Sequence, residues 1–324
     1  MLDLYFNPEY AKIYENIDGK SDTFYFECEY GKIQNTFIKR EVELEGEKYC
    51  DIVTPYGYGG PIITECGDAA ALMKKYYEAF RAYCMENNVI CEFIRFHLFD
   101  NADVRENYYG DVVHMSNNVV VNTQGEFDDI WMSYEQKVRK NVKKAVRNEL
   151  EILIENSTDH LDDFLKIYYD TMDRNDAKSY YYFKKDYFEL ISEKLPENYV
   201  YFYVLKDNKV ISTELVLCSE KYAYSFLGGT FSEYYDLRPN DYLKNEIIKW
   251  CNSTGRKCFI LGGGYHENDG IYRYKRSFTK DEDVKFYSGK HIFNTDIYNK
   301  LVLKRKQQSE DFDDKSEYFP LYRA

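Results

Sequence analysis

Two titratable side chains stand where charge and proton chemistry could be done. Lys275 follows a run of three glycines (Gly262, Gly263, Gly264) across a polar turn, one helical turn after Ile271. The glycines let a ligand or another backbone approach closely. A helix that starts at the capping residue Asp269 offers N–H groups to an anion. A lysine reaching the same place supplies a movable positive charge, as a developing oxyanion or leaving oxygen requires. Glu214 sits in an apolar run, Val210-Ile211-Ser212-Thr213-Glu214-Leu215-Val216-Leu217. Buried, its carboxyl would titrate high and serve as a general base; at a solvent-facing sheet edge it would do neither. Taken alone, the glycine stretch is better described as a tight strand-to-helix turn carrying a surface lysine.

The elements that would position these groups follow from pattern. Cys258–Leu261 is a short buried strand, and Ile271, Tyr274 and Phe278 mark the apolar face of the helix bearing Lys275. Before them come a strand ending in Gly228-Gly229-Thr230, a loop with Arg238-Pro239-Asn240, and a helix ending near Gly255. Val200–Lys206 and Lys209–Cys218 form a hairpin across Asp207-Asn208. Residues 126–148 read as one helix, acidic at its start and carrying Arg139, Lys140, Lys143, Lys144 and Arg147 toward its end, where cations complement the macrodipole. A strand, a helix running to Met172, and the aromatic loop 179–183 follow; one of Tyr180, Tyr181 and Tyr182 is expected to enter the site. In the first third, strands at 23–30 and 49–53 lead into Thr54-Pro55-Tyr56-Gly57-Tyr58-Gly59-Gly60-Pro61. This loop is either a rigid crossover or an acceptor-binding wall in which Tyr56 and Tyr58 stack on a sugar or base. Asp68 then caps a long helix with Leu72, Met73, Tyr76, Tyr77, Phe80 and Cys84 on its buried side.

Composition narrows the class. The 324 residues suffice for two domains, and 44% apolar content with six prolines supports packed cores. A net charge of −13 argues against a general nucleic-acid binder, since phosphate affinity comes from Lys and Arg. Eight scattered cysteines without a C-x-x-C pair read as buried thiols of a reducing compartment, and the five histidines show no zinc-ligand spacing. The start MLDLYFNPEYAKIY lacks a leader pattern and no window approaches a membrane span, so a cytoplasmic protein with no transmembrane segment and no DNA partner is expected.

The succession of a strand-ending glycine, Pro239, Phe259-Ile260-Leu261-Gly262 and Gly270-Ile271-Tyr272-Arg273-Tyr274-Lys275-Arg276-Ser277-Phe278 resembles the FemAB-like branch of the GNAT acyltransferase superfamily. The resemblance runs from about residue 126 to 286 and departs at Thr279, where the family often has glycine. It implies an α/β fold (an α+β mixed sheet) of two GNAT-like domains in tandem. The expected bounds are 1–124, degenerate, and 125–292, carrying the motifs, with 293–324 packing back on the first. The long helical coiled-coil arm of the FemA and FemB branch is missing from the pattern.

What the resemblance implies about function is an acyltransferase that moves an aminoacyl group from aminoacyl-tRNA to an amine of a cell-wall or nucleotide-linked precursor. Attack is direct, without an acyl-enzyme, and no cofactor is permanently bound. Lys275 and Glu214 are its catalytic candidates. Arg139 and Lys143 are implied as phosphate ligands, with Arg139 preferred for its bidentate geometry. Arg174, Gly228, Gly229, Arg238, Asn240, Gly262, Gly263 and Tyr272 complete the implied substrate site, beside Tyr56 and Tyr58. An acyl-coenzyme A donor for an amino sugar or other small amine is the alternative, although the usual pyrophosphate loop is replaced by Leu237-Arg238-Pro239-Asn240-Asp241-Tyr242. A non-catalytic glycan or nucleotide-sugar binder is the remaining class, and it would not need Lys275.

Overall fold

The structure, a computed structural model, describes residues 2–324 apart from Asn16, Tyr265, Glu267 and Glu310. In chain order it forms α1 (Pro8–Lys12), β1 (Lys20–Cys28), β2 (Gly31–Leu44), β3 (Glu47–Val53), β4 (Ile62–Cys66) and α2 (Ala69–Glu86). Next come β5 (Val89–Arg95), α3 (Ala102–Glu106), β6 (Asp111–Asn122), α4 (Phe127–Ser133), α5 (Gln136–Arg147), β7 (Glu151–Glu155) and α6 (Leu161–Arg174). They are followed by α7 (Lys185–Lys194), β8 (Tyr199–Lys206), β9 (Lys209–Cys218), β10 (Tyr222–Thr230) and α8 (Pro239–Ser253). The last are β11 (Cys258–Gly262), α9 (Gly270–Arg276), β12 (Val284–Ile292) and α10 (Thr295–Gln308). Among the described residues the longest helix is α2, with 18 residues, so no coiled-coil arm is present.

The chain divides into two compact units, one of residues 116–284 and one of 4–115 with 285–324. Relative to the division expected from sequence, 116–124 fall with the later unit and 285–292 with the earlier. In the unit built from both chain ends the strand order is β1-β2-β3-β5-β12, with β4 also on β2. Helix α2 starts where the Asp68 carboxylate accepts from the Ala71 N–H at 3.0 Å. It buries Leu72, Met73, Tyr76, Phe80 and Cys84 against Ile33, Phe37 and Ile94. The C-terminal residues are held in this unit by Asp51, which is 0% exposed and accepts from Arg323 Nε at 2.6 Å and the Tyr322 hydroxyl at 2.9 Å.

The central unit carries the order β6-β11-β10-β9-β8-β7, antiparallel except for β10 and β11. The β8–β9 hairpin turns at Asp207 and Asn208, whose φ of 51° and 62° give the primed turn that matches strand twist. Side chains of β8 alternate. Phe202 packs on Trp250 of α8, whereas Tyr201 packs on Phe164 of α6. Val138, Val142 and Ala145 of α5 join Leu243, Ile247 and Cys251 of α8 over Val216 and Phe259.

The expected single helix over 126–148 is two, broken at Tyr134 and Glu135, which have extended ψ values of 150° and 148°. Tertiary contacts make the break. The Tyr134 ring is buried edge-on against Trp131 and Phe278, and the Glu135 N–H donates to the Ser277 carbonyl at 2.8 Å. Arg139 Nη1 closes the corner by donating to the carbonyls of Met132 and Tyr134.

Candidate active site

Strands β10 and β11 pair in parallel over only three residues, Tyr222–Tyr224 against Cys258–Ile260. A bulge at Ser225–Leu227 then turns β10 away, and its last residues bond β9 alone. The gap left beyond Tyr224 is filled by side chains from β9, α8 and α9.

At its floor lies a buried ion pair. Lys244 Nζ donates to both carboxylate oxygens of Glu214, at 2.5 Å for Oε1, and to Ser225 Oγ at 2.9 Å. The two side chains are 12% and 5% exposed. Lys244 thus uses all three of its protons, and Glu214 is a carboxylate locked to a cation inside the sheet. Sequence reasoning missed Lys244, although its place among Leu243, Ile247 and Ile248 on the buried face of α8 was the available signal.

Lys275 reaches back from α9 to the end of β11, where Nζ donates to the Gly263 carbonyl at 2.7 Å. Gly262 has φ of +77°, which turns the chain so that this carbonyl faces the lysine. Burial pushes the Lys275 ammonium down to about 8, helped by the charge of Lys244 and opposed by Glu214 and Asp269. The short helix α9 does not offer its N-terminus to a ligand, as the glycine stretch suggested. The carboxylate of Asp269 occupies it, with Oδ1 accepting from the Tyr272 N–H at 2.7 Å. Ile271, expected on the buried face, is 43% exposed.

Two cavities lie in the central unit near these groups, and Lys275 is in the wall of neither. One of about 310 Å³ is walled by Glu214, Lys244, Ser225 and Gly228–Thr230, with Thr171 and Arg174 of α6. The other, of about 920 Å³, is walled by Lys137, Arg238, Asp241, Tyr272, Arg273 and Arg276 among others. Tyr235, Asn240 and Tyr274 belong to both walls. The Tyr274 hydroxyl is buried without a hydrogen-bond partner and titrates far above its ordinary range because of burial. Asp241, in the first turn of α8, is also raised by burial and accepts from Asn141 at 3.2 Å.

The expected site residues sort by these surroundings. Asn240 Oδ1 accepts from Thr230 Oγ1 at 2.5 Å, which ties the start of α8 to the end of β10. Arg238 adopts the left-handed region at φ 67°, and its Nε is buried without a partner. Arg174 pairs with Asp170 at 2.6 Å and donates to the Thr230 carbonyl at 3.2 Å. Tyr272 donates its hydroxyl to Asp283 and lines the larger cavity. Gly228 and Gly229 border the smaller cavity. A Cβ on them would stand 2.4 Å from the Thr213 carbonyl oxygen and 2.2 Å from Thr171 Oγ1. Arg139 is engaged by backbone carbonyls, and neither it nor Lys143 is in either wall. Tyr56 and Tyr58 lie in the other unit, where the Tyr56 carbonyl accepts from Tyr10 at 2.6 Å and the Tyr58 ring packs edge-on against Tyr5 and Phe286. Tyr180–Tyr182 line neither cavity; Tyr182 donates to Asp173 at 2.9 Å. Among the described residues, no group of His, Cys, Asp or Glu could hold a metal ion, and no helix is long and apolar enough to cross a membrane.

A sheet whose central parallel pair splays at a bulge, with a helix starting opposite the gap, is the GNAT architecture, and residues 132–276 match the acetyltransferase (GNAT) domain family. Over 179 residues the chain is 25% identical to a UDP-N-acetylmuramoylpentapeptide-lysine N(6)-alanyltransferase of Weissella viridescens, covering 52% of this chain and 50% of that protein. The chain therefore spans about half the length of that curated relative. The solved structure of FemX superposes with a TM-score of 0.72 at 12% identity, covering 92% of this chain and 94% of FemX. The C-terminal domain of a putative lysylphosphatidylglycerol synthetase from Agrobacterium fabrum follows at 0.57 and 13%, over 94% and 92%. These likenesses support a chain of the GNAT type that is similar to FemAB-like proteins.

Proposed function

We propose that the protein is an aminoacyltransferase that moves an aminoacyl group from an RNA-linked ester to an amine of a cell-wall or nucleotide-linked precursor. The observation that carries the proposal is Lys275, a buried ammonium lowered to about 8 and aimed at the end of β11 beside the splay. The similarity to a lysine alanyltransferase supports the acceptor class. In the reaction the acceptor nitrogen attacks the ester carbonyl carbon, and the bond from that carbon to the ribose oxygen breaks. The net transfer is of one proton from nitrogen to the ribose oxygen: Lys275 gives that oxygen a proton and regains one from the nitrogen, relayed through water. Lys275 stabilises the developing negative charge and hands its proton to the leaving oxygen, a task for which a lysine near 8 is a stronger acid than a surface lysine. Glu214 fixes Lys244 beneath the gap through their ion pair, and its carboxylate can relay the nitrogen's proton through a water. Asn240 and Arg238 position the donor.

The match to the GNAT acetyltransferase domain favours a second donor, a coenzyme A thioester. The start of α8 speaks against it. Pro239 lacks an N–H, and the buried Asp241 carboxyl stands where a pyrophosphate would need donors. Thermal-shift measurements decide between them, since stabilisation follows ligand concentration over Kd. Stabilisation by a UDP-linked muramyl pentapeptide without a response to acetyl-coenzyme A is expected. A response to acetyl-coenzyme A alone would overturn the donor assignment.

A further inference from the structure

The unit built from both chain ends holds, in its core, a carboxyl group that the proposed reaction does not use. Glu92 of β5 is 1% exposed. Its Oε1 accepts from the Tyr108 hydroxyl at 2.9 Å and from the Tyr109 hydroxyl, and among the described residues no cation pairs with it. Both phenols converge on one oxygen, so a proton carried by the carboxyl sits on the other, Oε2. The groups packed around it supply no compensating charge. From α2, Tyr77 stacks on Tyr109 with ring centroids 4.1 Å apart, and the buried Tyr76 hydroxyl accepts from Asn35 Nδ2 of β2 at 2.8 Å. From β12, His291 stands opposite Glu92 in register, and its Nε2 meets the Tyr77 hydroxyl at 3.1 Å. Burial and the charge of Arg81 hold that imidazole below its ordinary range, against Asp111, so it is neutral at neutral pH. Arg81 and Asp111 themselves are exposed. Burial raises the Tyr76, Tyr108 and Tyr109 hydroxyls and the Cys84 thiol of α2 far upward, so these groups keep their protons.

A carboxyl hidden from water without a cation resists ionisation. Burial pushes Glu92 up to about 7, opposed by the two phenol hydrogen bonds, which favour the charged form. The two phenols belong to a turn without slack. A Cβ on Gly110 would stand 2.4 Å from the Lys290 carbonyl oxygen and 3.0 Å from the His291 Cβ, so the turn is seated directly on β12. Strand β6 begins at the next residue, Asp111. We propose that Glu92, Tyr108 and Tyr109 form a proton-operated latch on residues 107–111. With the carboxyl protonated, the turn is closed on β5 and β12; with it ionised, the turn opens and admits water to the charge. The direction follows from linkage. In the open form the carboxyl is hydrated and titrates near its ordinary 4.5. Closure is therefore at full strength below about 4.5, weakens from there to about 7, and changes little above that. His291 would act in the opposite sense, because its lowered pKa makes opening easier in acid.

Hydrogen–deuterium exchange of the full chain at about pH 5.5 and 8, corrected for the intrinsic chemical rates, tests the latch in a peptide covering 104–112. The opening equilibrium there is expected to rise at least about tenfold between the two, with a ceiling of roughly thirtyfold for a carboxyl moved from 4.5 to about 7. A peptide covering 199–206 in β8 should show no such rise. E92Q, whose amide mimics the protonated carboxyl, should open little and equally at both pH values. Y109F, deprived of a bond that favours the charged form, should keep responding to higher pH than the parent. A parent whose corrected opening is the same at both pH values, or an E92Q protein that keeps the parent's rise, would overturn the latch. Opening that falls over the same range would overturn it too, and would place the titration on His291.

Discussion

Replacing Lys275 by methionine should make the protein more stable and nearly inactive. The ammonium is held near 8 against an ordinary 10.5, because burial disfavours the charged form more than Glu214, Asp269 and its bond to Gly263 favour it. At about 1.4 kcal/mol per pKa unit, keeping that charge in the fold costs on the order of 3 kcal/mol at neutral pH. Methionine fills the same space without the charge. It leaves the Gly263 carbonyl without its donor, which costs about 1 kcal/mol or somewhat more. The balance is a gain of roughly 1–2 kcal/mol, or about 2–6 °C in Tm. The gain has a pH signature. It is full below about 8, where the folded lysine is charged, and shrinks between about 8 and 10.5 as the folded state sheds its proton. Above that range the variant is the less stable, having lost the hydrogen bond and nothing else. Calorimetric melts at neutral and alkaline pH, with transfer rates on the same samples, check both parts. A K275M protein that melts below the parent at neutral pH, or that keeps the parent's rate, would refute the reasoning.

Further outcomes follow from the same groups. Because the Lys275 proton is the one delivered, kcat/KM should fall as pH rises through about 8; K275R, with its higher pKa, should show no such limb, whatever its absolute rate. E214Q strands Lys244 as an unpaired buried cation and should cost about 3–5 kcal/mol in denaturant melts, while the double variant E214L/K244M should recover most of it without recovering turnover. Y274F removes a buried hydroxyl with no partner, so its Tm should hold or rise; a drop in kcat alongside would assign that hydroxyl to the bound donor, and unchanged kinetics would remove it from the site.

The sequence carried the local instructions and hid the pairings. Asp207-Asn208 between alternating strands fixes the hairpin, since both residues tolerate the left-handed turn. Asp68 and Asp269 announce helix starts because their carboxylates need only the next turn's N–H groups. The partner of Glu214 was not legible, because Lys244 is thirty residues later on a helix whose rotation is set by tertiary packing. The break at Tyr134 was equally hidden. No proline or glycine marks it, and it exists because Ser277 and Arg139 supply the hydrogen bonds that the interrupted helix gives up. Gly228 and Gly229, implied as substrate residues, border the smaller cavity, and the close approach of Thr213 and Thr171, which only the tertiary structure reveals, leaves no room for a Cβ on either.

The proposed role of Lys275 is to serve transfer of an aminoacyl group from an RNA ester to a cell-wall amine. Purified protein incubated with alanyl-tRNA and a UDP-linked muramyl pentapeptide, followed by mass spectrometry of the nucleotide product, tests it most directly. A product heavier by one alanyl residue is expected with the parent, and a rate lower by about 100-fold or more with K275M. Product formed as fast by K275M as by the parent, or formed only when acetyl-coenzyme A replaces the tRNA, would contradict it.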